Sequence, residues 1–173
     1  MCGITGFLGF ENNSTSSDLI NILNKMTNSL IHRGPDDSGV WYNFDDKIFI
    51  GHRRLSVIDL KDTGSQPMTS FSQRYIISYN GEIYNYKYLK KYLENKFNVS
   101  NWKGTSDTEI LLNCIDYLGI DKALELVDGM FAFALWDKKE KNLILARDRI
   151  GEKPIYYGWQ ENKTFLFTSE IKS

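Results

Sequence analysis

Short runs rich in β-branched and aromatic residues stand on both sides of a helical middle, and no other feature of the sequence constrains the fold more. Residues 5–10, with those just before them, read as a strand, and the polar stretch 11–17 reads as a turn. Ser17 is then placed to cap a helix, because Leu19, Ile22, Leu23, Met26 and Leu30 recur at helical spacing until Gly34-Pro35 forbids continuation. Segments 40–43 and 47–53 flank Asp45-Asp46 as a hairpin, and 75–80 supplies a further strand. In the middle, Tyr88, Leu89, Tyr92 and Leu93 predict a helix over 84–97. A second helix starts at the cap Ser106, carries Asp107 and Glu109 in its first turn, and reaches Leu118-Gly119. A short helix over 121–126 leads into four apolar runs at 130–136, 143–147, 155–159 and 165–168. Strands paired through hairpins around central helices give α+β with layered antiparallel sheets rather than alternating βαβ units.

With 173 residues, 42% of them hydrophobic, the chain is long enough for one substantial core and too short for two ordinary domains. A net charge of −1, with 21 basic residues dispersed along the chain, argues against a nucleic acid or a membrane surface as partner. The opening residues lack a basic lead and soon reach Glu11, Asn12 and Asn13, so neither a signal peptide nor a spanning helix is expected, and a cytoplasmic location is. Cys2 and Cys114 make no disulfide framework, and neither has a partner at metal-ligand spacing. Cys114, among Leu111, Leu112 and Ile115, reads as a core thiol. The stop at Glu170-Ile171-Lys172-Ser173, without cap or breaker, has the look of a piece of something longer.

Position two is the candidate site for chemistry. A small residue after the initiator Met lets the Met be trimmed, leaving Cys2 with both a thiol and a free α-amine. The amine titrates at about 7.7–8.0 and the thiol at about 8.5, so near neutral pH the amine can take the thiol proton. With only His32 and His52 in the chain, a Cys-His pair is harder to build. Taken alone, Cys2 reads more simply as a small residue opening a strand.

Its company alters that reading. Met1-Cys2-Gly3-Ile4-Thr5-Gly6, His32-Arg33-Gly34-Pro35-Asp36-Asp37-Ser38-Gly39, Gly51-His52-Arg53-Arg54-Leu55-Ser56-Val57-Ile58-Asp59, Gln66-Pro67-Met68, Tyr79-Asn80-Gly81-Glu82-Ile83-Tyr84-Asn85 and Ser106-Asp107-Thr108-Glu109 follow one another in order, as does the block from Arg147 to Gly158. Together they resemble the class II glutamine amidotransferase domains, which are N-terminal-nucleophile hydrolases. The second block resembles the form found in glutamine-hydrolysing asparagine synthetases.

The resemblance implies a four-layer α/β/β/α sandwich and gives the residues roles. Cys2 is implied as nucleophile, and the side-chain NH2 of Asn80 with the backbone N–H of Gly81 as the oxyanion hole. Asn80-Gly81 on its own reads as a hairpin turn. Arg54 is implied for the α-carboxylate of glutamine, a task its planar fork suits, and Asp107 for the α-ammonium. Because strand neighbours point to opposite faces, Arg53 then faces away. Glu82 and the backbone of Val57 are further expected contacts. Residues 33–39 are expected to form a lid, with Arg33 near the thiol, although a plain turn joining helix to strand fits equally. The block 147–158 reads as a hairpin without a reactive group.

The implied reaction is hydrolysis of L-glutamine to glutamate and ammonia through a Cys2 thioester, with no cofactor and no metal. By resemblance the ammonia feeds an ATP- and Mg-dependent synthetase domain, expected in the longer chain or a partner chain, because no phosphate-binding glycine loop occurs here. The domain is expected to be cut before its last strands, and homodimerisation is left open. The rival readings are a catalytically silent support domain, a donor of ammonia to an aminosugar or surface-polysaccharide precursor, and a hydrolase of another amide.

Overall fold

The computed structural model describes residues 1–10, 15–161 and 163–173. Nine strands and four helices are arranged in chain order as β1 (Gly3–Leu8), α1 (Ser16–Ser29), β2 (Asp37–Asn43), β3 (Ile48–Arg54), β4 (Met68–Thr69), β5 (Tyr75–Ile83), α2 (Tyr86–Phe97), α3 (Asp107–Leu118), α4 (Ile120–Leu126), β6 (Gly129–Asp137), β7 (Asn142–Arg147), β8 (Tyr156–Gln160) and β9 (Thr164–Thr168) among the described residues. They form two antiparallel sheets, one ordered β2-β3-β1-β9-β8 and the other β4-β5-β6-β7.

Strand alternation assigns the layers. On β3, Phe49 packs outward with Phe7, Leu19 and Leu23 beneath α1, while its neighbours Ile48 and Ile50 turn inward. On β5 and β6, Ile76, Ala132, Ala134 and Trp136 meet them from the second sheet, whereas Tyr75, Ile77, Phe133 and Leu135 face α2, α3 and α4. The result is helix, sheet, sheet, helix, the four-layer sandwich that the resemblance implied. Burying a side chain such as Phe49 completely contributes roughly 1.5–3 kcal/mol.

Local chemistry sets several boundaries differently from expectation. Helix α1 is capped by Thr15 rather than Ser17, because the Asp18 amide donates to Thr15 Oγ1 (3.2 Å) while Thr15 N donates to the Asp18 carboxylate (3.2 Å). Residues 11–14 of the expected turn lie outside the described residues. Helix α2 starts two residues late, since Asn85 Nδ2 donates to Leu126 O (2.8 Å) and its Oδ1 accepts from Asp128 N (3.1 Å). Ser106 caps α3 as expected, its hydroxyl accepting from Glu109 N.

The block 147–158 is no hairpin. Strands β7 and β8 belong to different sheets, and the chain crosses between them around Asp148. That carboxylate accepts from the amides of Ile150, Gly151, Glu152, Lys153 and Phe131, at 2.6–3.2 Å. Burial pushes the Asp148 carboxyl up, but these main-chain donors outweigh it and hold the group below its usual range. No described helix is long and apolar enough to cross a membrane.

Candidate active site

The space between the sheets is apolar at one end and polar at the other. Moving along the inward positions of β3, Ile48 and Ile50 give way to His52 and Arg54; along β5, Ile76 gives way to Ser78 and Asn80. Cys2 directly precedes β1, two residues before the inward-facing Ile4. The polar end opens into a cleft of about 770 Å3, counting the volume that communicates with solvent. Its walls include Cys2, Arg54, Asn80, Gly81 and Asp107, five residues that the sequence scatters over more than a hundred positions. The size suits a small amino acid with room for solvent.

Cys2 Sγ lies 3.4 Å from Leu55 N, which donates to it, and 3.6 Å from Leu55 O. Burial raises its thiol above the ordinary range; the Leu55 amide, the N-terminal ammonium and Arg54 pull it down, and Asp107 adds to the rise. A half-buried thiol raised in this way needs a base. With Met1 in place the free amine belongs to Met1, which donates to Arg33 O (3.1 Å), and the nitrogen of Cys2 is a peptide amide. The amine and thiol are thus on one residue only after Met1 leaves.

His52 is no substitute. It is fully buried, and desolvation together with the Arg54 and Arg53 charges lowers it to about 3, so it is neutral at physiological pH. Its Nδ1 is 3.0 Å from Ser78 Oγ, which in turn reaches Gly51 O, tying the two sheets together one row behind the cleft.

Asn80 and Gly81 lie inside β5, paired with Ala132 and Phe131, so the hairpin-turn reading fails. Asn80 is 2% exposed, and its Nδ2 is a buried donor without a protein acceptor. The glycine at 81 answers to its neighbour strand: a Cβ there would sit 2.3 Å from Met130 O.

Arg54 and Arg53 are both buried rather than solvated, and they point to opposite faces. Arg53 Nε donates to Gly34 O (2.9 Å). Arg54 enters the cleft, donating to Lys61 O (2.9 Å) and to Asp59 O, with Gly64 packed so closely that a Cβ would meet the guanidinium at 2.1 Å. Two of its N–H groups hold the 55–66 segment, and the fork retains others for a carboxylate.

Asp107 is 5% exposed at the start of α3. Burial raises its carboxyl above the ordinary range, opposed by hydrogen bonds from Ile83 N (2.9 Å), Tyr79 OH (2.9 Å) and Thr108 N (3.0 Å). Glu82 and Val57 line the exposed rim.

The expected lid differs most from the structure. Residues 37–39 are part of β2, with Asp37 opposite Arg54 and Gly39 opposite His52, and a Cβ on Gly39 would meet Gln66 O at 2.1 Å. Segment 33–39 does not line the cleft; Leu55, Val57, Ile58, Asp59 and Gly64 do, and Val57 is 71% exposed. Arg33 sits behind the nucleophile instead of against the cleft, its Nε donating to Cys2 O (3.0 Å).

Lys153, Gln66, Tyr79, Thr108 and Met130 also line the cleft, and the sequence reading gave them no role. Lys153 is delivered by the Asp148-centred crossover, which spacing could not reveal. Gln66 stood in a matching motif without a stated task; its Oε1 accepts from Tyr79 N (2.7 Å).

Residues 1–173 match the family described as glutamine amidotransferase domain. A putative glutamine-hydrolysing asparagine synthetase 2 of Methanocaldococcus jannaschii is 41% identical over 99% of this chain and 34% of its own length. Asparagine synthetase (glutamine-hydrolysing) 3 of Bacillus subtilis is 41% identical over 100% of this chain and 27% of its own length. The chain therefore spans about a third or less of these relatives. The solved glutamine phosphoribosylpyrophosphate amidotransferase of B. subtilis, complexed with ADP and GMP, superposes with a TM-score of 0.78 at 23% identity, over 99% of this chain and 42% of that one. Its likeness shows that the two chains share a fold. By sequence match over its whole length, the chain belongs to the glutamine amidotransferase domain family.

Proposed function

We propose that this domain, once Met1 is removed, hydrolyses the side-chain amide of L-glutamine at Cys2. The α-amine of Cys2 takes the thiol proton, and the thiolate attacks the amide carbon. The oxyanion that forms is held by Asn80 Nδ2 and the Gly81 N–H, donors of a kind whose removal typically costs about 3–4 kcal/mol. The ammonium of the new N-terminus returns its proton to the leaving nitrogen, ammonia departs, and water cleaves the γ-glutamyl thioester to glutamate. Arg54 takes the α-carboxylate and Asp107 the α-ammonium, with Glu82 and Val57 at the rim.

One observation carries the reading: Asn80, whose Nδ2 is a buried donor without a protein acceptor, lines the same cleft as Cys2, Arg54 and Asp107. A donor left unpaired inside a protein costs roughly 1–3 kcal/mol, a cost relieved when an oxyanion arrives. The hydrolysis itself uses no cofactor or metal. The ammonia goes to an ATP- and Mg-dependent synthetase domain of the asparagine synthetase kind, in the same longer chain or a partner.

The test is glutamate formation from L-glutamine at neutral pH by protein whose intact mass lacks Met1, beside the Cys2→Ala variant. Steady turnover that vanishes in the variant supports the reading. Equal rates in both remove Cys2 from the mechanism.

A further inference from the structure

The segment after β9 reaches back to the nucleophile from outside the cleft. Ser169 N donates to Ile4 O (2.8 Å) and Ile4 N donates to Ser169 Oγ (2.9 Å), so the segment is stitched to β1 two residues from Cys2. Glu170 comes next. Its carboxylate accepts from Arg33 Nη1 (3.0 Å), pairs with His32 Nε2 (3.0 and 3.1 Å) and lies 3.3 Å from Lys172 Nζ. Arg33, with its side chain only 8% exposed, carries the link onward by donating from Nε to Cys2 O.

We propose that Glu170 is a positioning residue for Cys2, orienting the Arg33 guanidinium that fixes the Cys2 main chain through its carbonyl. The inference rests on Cys2 being the nucleophile. Removal of Met1 makes Cys2 a chain terminus, and termini are poorly ordered unless tied down. The new terminus then lacks a peptide link on its amino side, and the carbonyl bond to Arg33 becomes a main-chain restraint on the residue that bears both reacting groups. An arginine side chain has several rotatable bonds, and a second anchor beyond Nε restricts them; Glu170 supplies it at Nη1, while Nη2 is buried without a partner. A misplacement of about 1 Å at the reacting atom can cost about 10²-fold in rate. Arg54 bonds to Lys61 and Asp59, Asp107 to Tyr79, Ile83 and Thr108, and Asn80 Nδ2 meets no acceptor, so the substrate contacts stand apart from this cluster and are expected to survive its loss.

The experiment compares trimmed parent, Glu170→Ala, Glu170→Gln and Cys2→Ala for kcat and KM with L-glutamine. Glu170→Ala is expected to lose about tenfold or more in kcat with KM within about threefold, on the positional sensitivity above. Glu170→Gln keeps an oxygen for Arg33 Nη1 and is expected to fall between Ala and parent, which a role in packing alone would not produce. The Gln variant also preserves size and carries the test should the Ala variant not fold. Parent kcat in a folded Glu170 variant beside an inactive Cys2→Ala overturns this inference alone, as does a loss expressed only in KM. Parent turnover by Cys2→Ala overturns the nucleophile reading and this inference with it.

Discussion

Replacing Asn80 by Ala should separate activity from stability. The side chain is 2% exposed on an inward position of β5, and its Nδ2 meets no acceptor in the protein. In the transition state that donor gains an anionic partner in a site shielded from water, and mutations of this type cost about 2.7–4 kcal/mol, or about 10²–10³ in kcat. Stability should move little. Truncation leaves a small void and loses packing, but it also removes an unpaired buried donor whose desolvation cost is about 1–3 kcal/mol. The two effects oppose each other, and a net change within about 1 kcal/mol shifts Tm by only about 2–4 °C for a domain of this size. The assay is steady-state glutamate release alongside calorimetry. Retention of kcat within about threefold of parent would refute the oxyanion role. A collapse of Tm by more than about 10 °C would refute the compensation argument.

Arg54→Lys keeps the charge but loses the planar fork and the carbonyl bonds to residues 59 and 61; KM for glutamine should rise about tenfold or more, or about 1.4 kcal/mol. Arg53→Ala removes the bond to Gly34 O on the opposite face and should lower Tm more than it changes KM; equal KM effects would mean that the two faces are misassigned. For Asp107, burial raises the carboxyl, so in the free protein it contributes stability below the ordinary carboxylate range that is lost as pH rises through the raised value. Only the ionised form accepts an ammonium, so KM should fall as pH rises through that value. Measured between about pH 4 and 8, a KM that does not fall, or one that still falls in Asp107→Asn, would contradict the assignment.

The pattern of elements made layered antiparallel sheets legible, and the four-layer order came from the resemblance. The helical spacing of Leu19, Leu23 and Met26, and the alternation on β3, β5 and β6, reflect burial on one face, and burial is what patterning records. What was hidden depended on contacts distant in sequence. Nothing local distinguishes Asn80-Gly81 in a strand from the same dipeptide in a turn; pairing with Ala132 and Phe131 decides it. The Asp148 carboxylate turns an expected hairpin into a crossover between sheets by collecting five amides, a role any surface Asp could have had on spacing alone. Arg33 was expected near the thiol and is, yet through a main-chain carbonyl rather than the cleft, because Glu170 draws its other end away. Cys2, Arg54 and Asp107 were legible as a group only through the resemblance, since their separation in the chain leaves no spacing to read.

The most direct test of the central claim is mass spectrometry of the trimmed protein after incubation with a glutamine analogue whose amide nitrogen is replaced by a diazomethyl carbon, such as 6-diazo-5-oxo-L-norleucine, which alkylates a thiol with loss of N2. The account predicts one adduct per chain, on Cys2, forming in step with loss of glutamate release and slowed by excess L-glutamine. An adduct on Cys114, or inactivation with Cys2 unmodified, would contradict it.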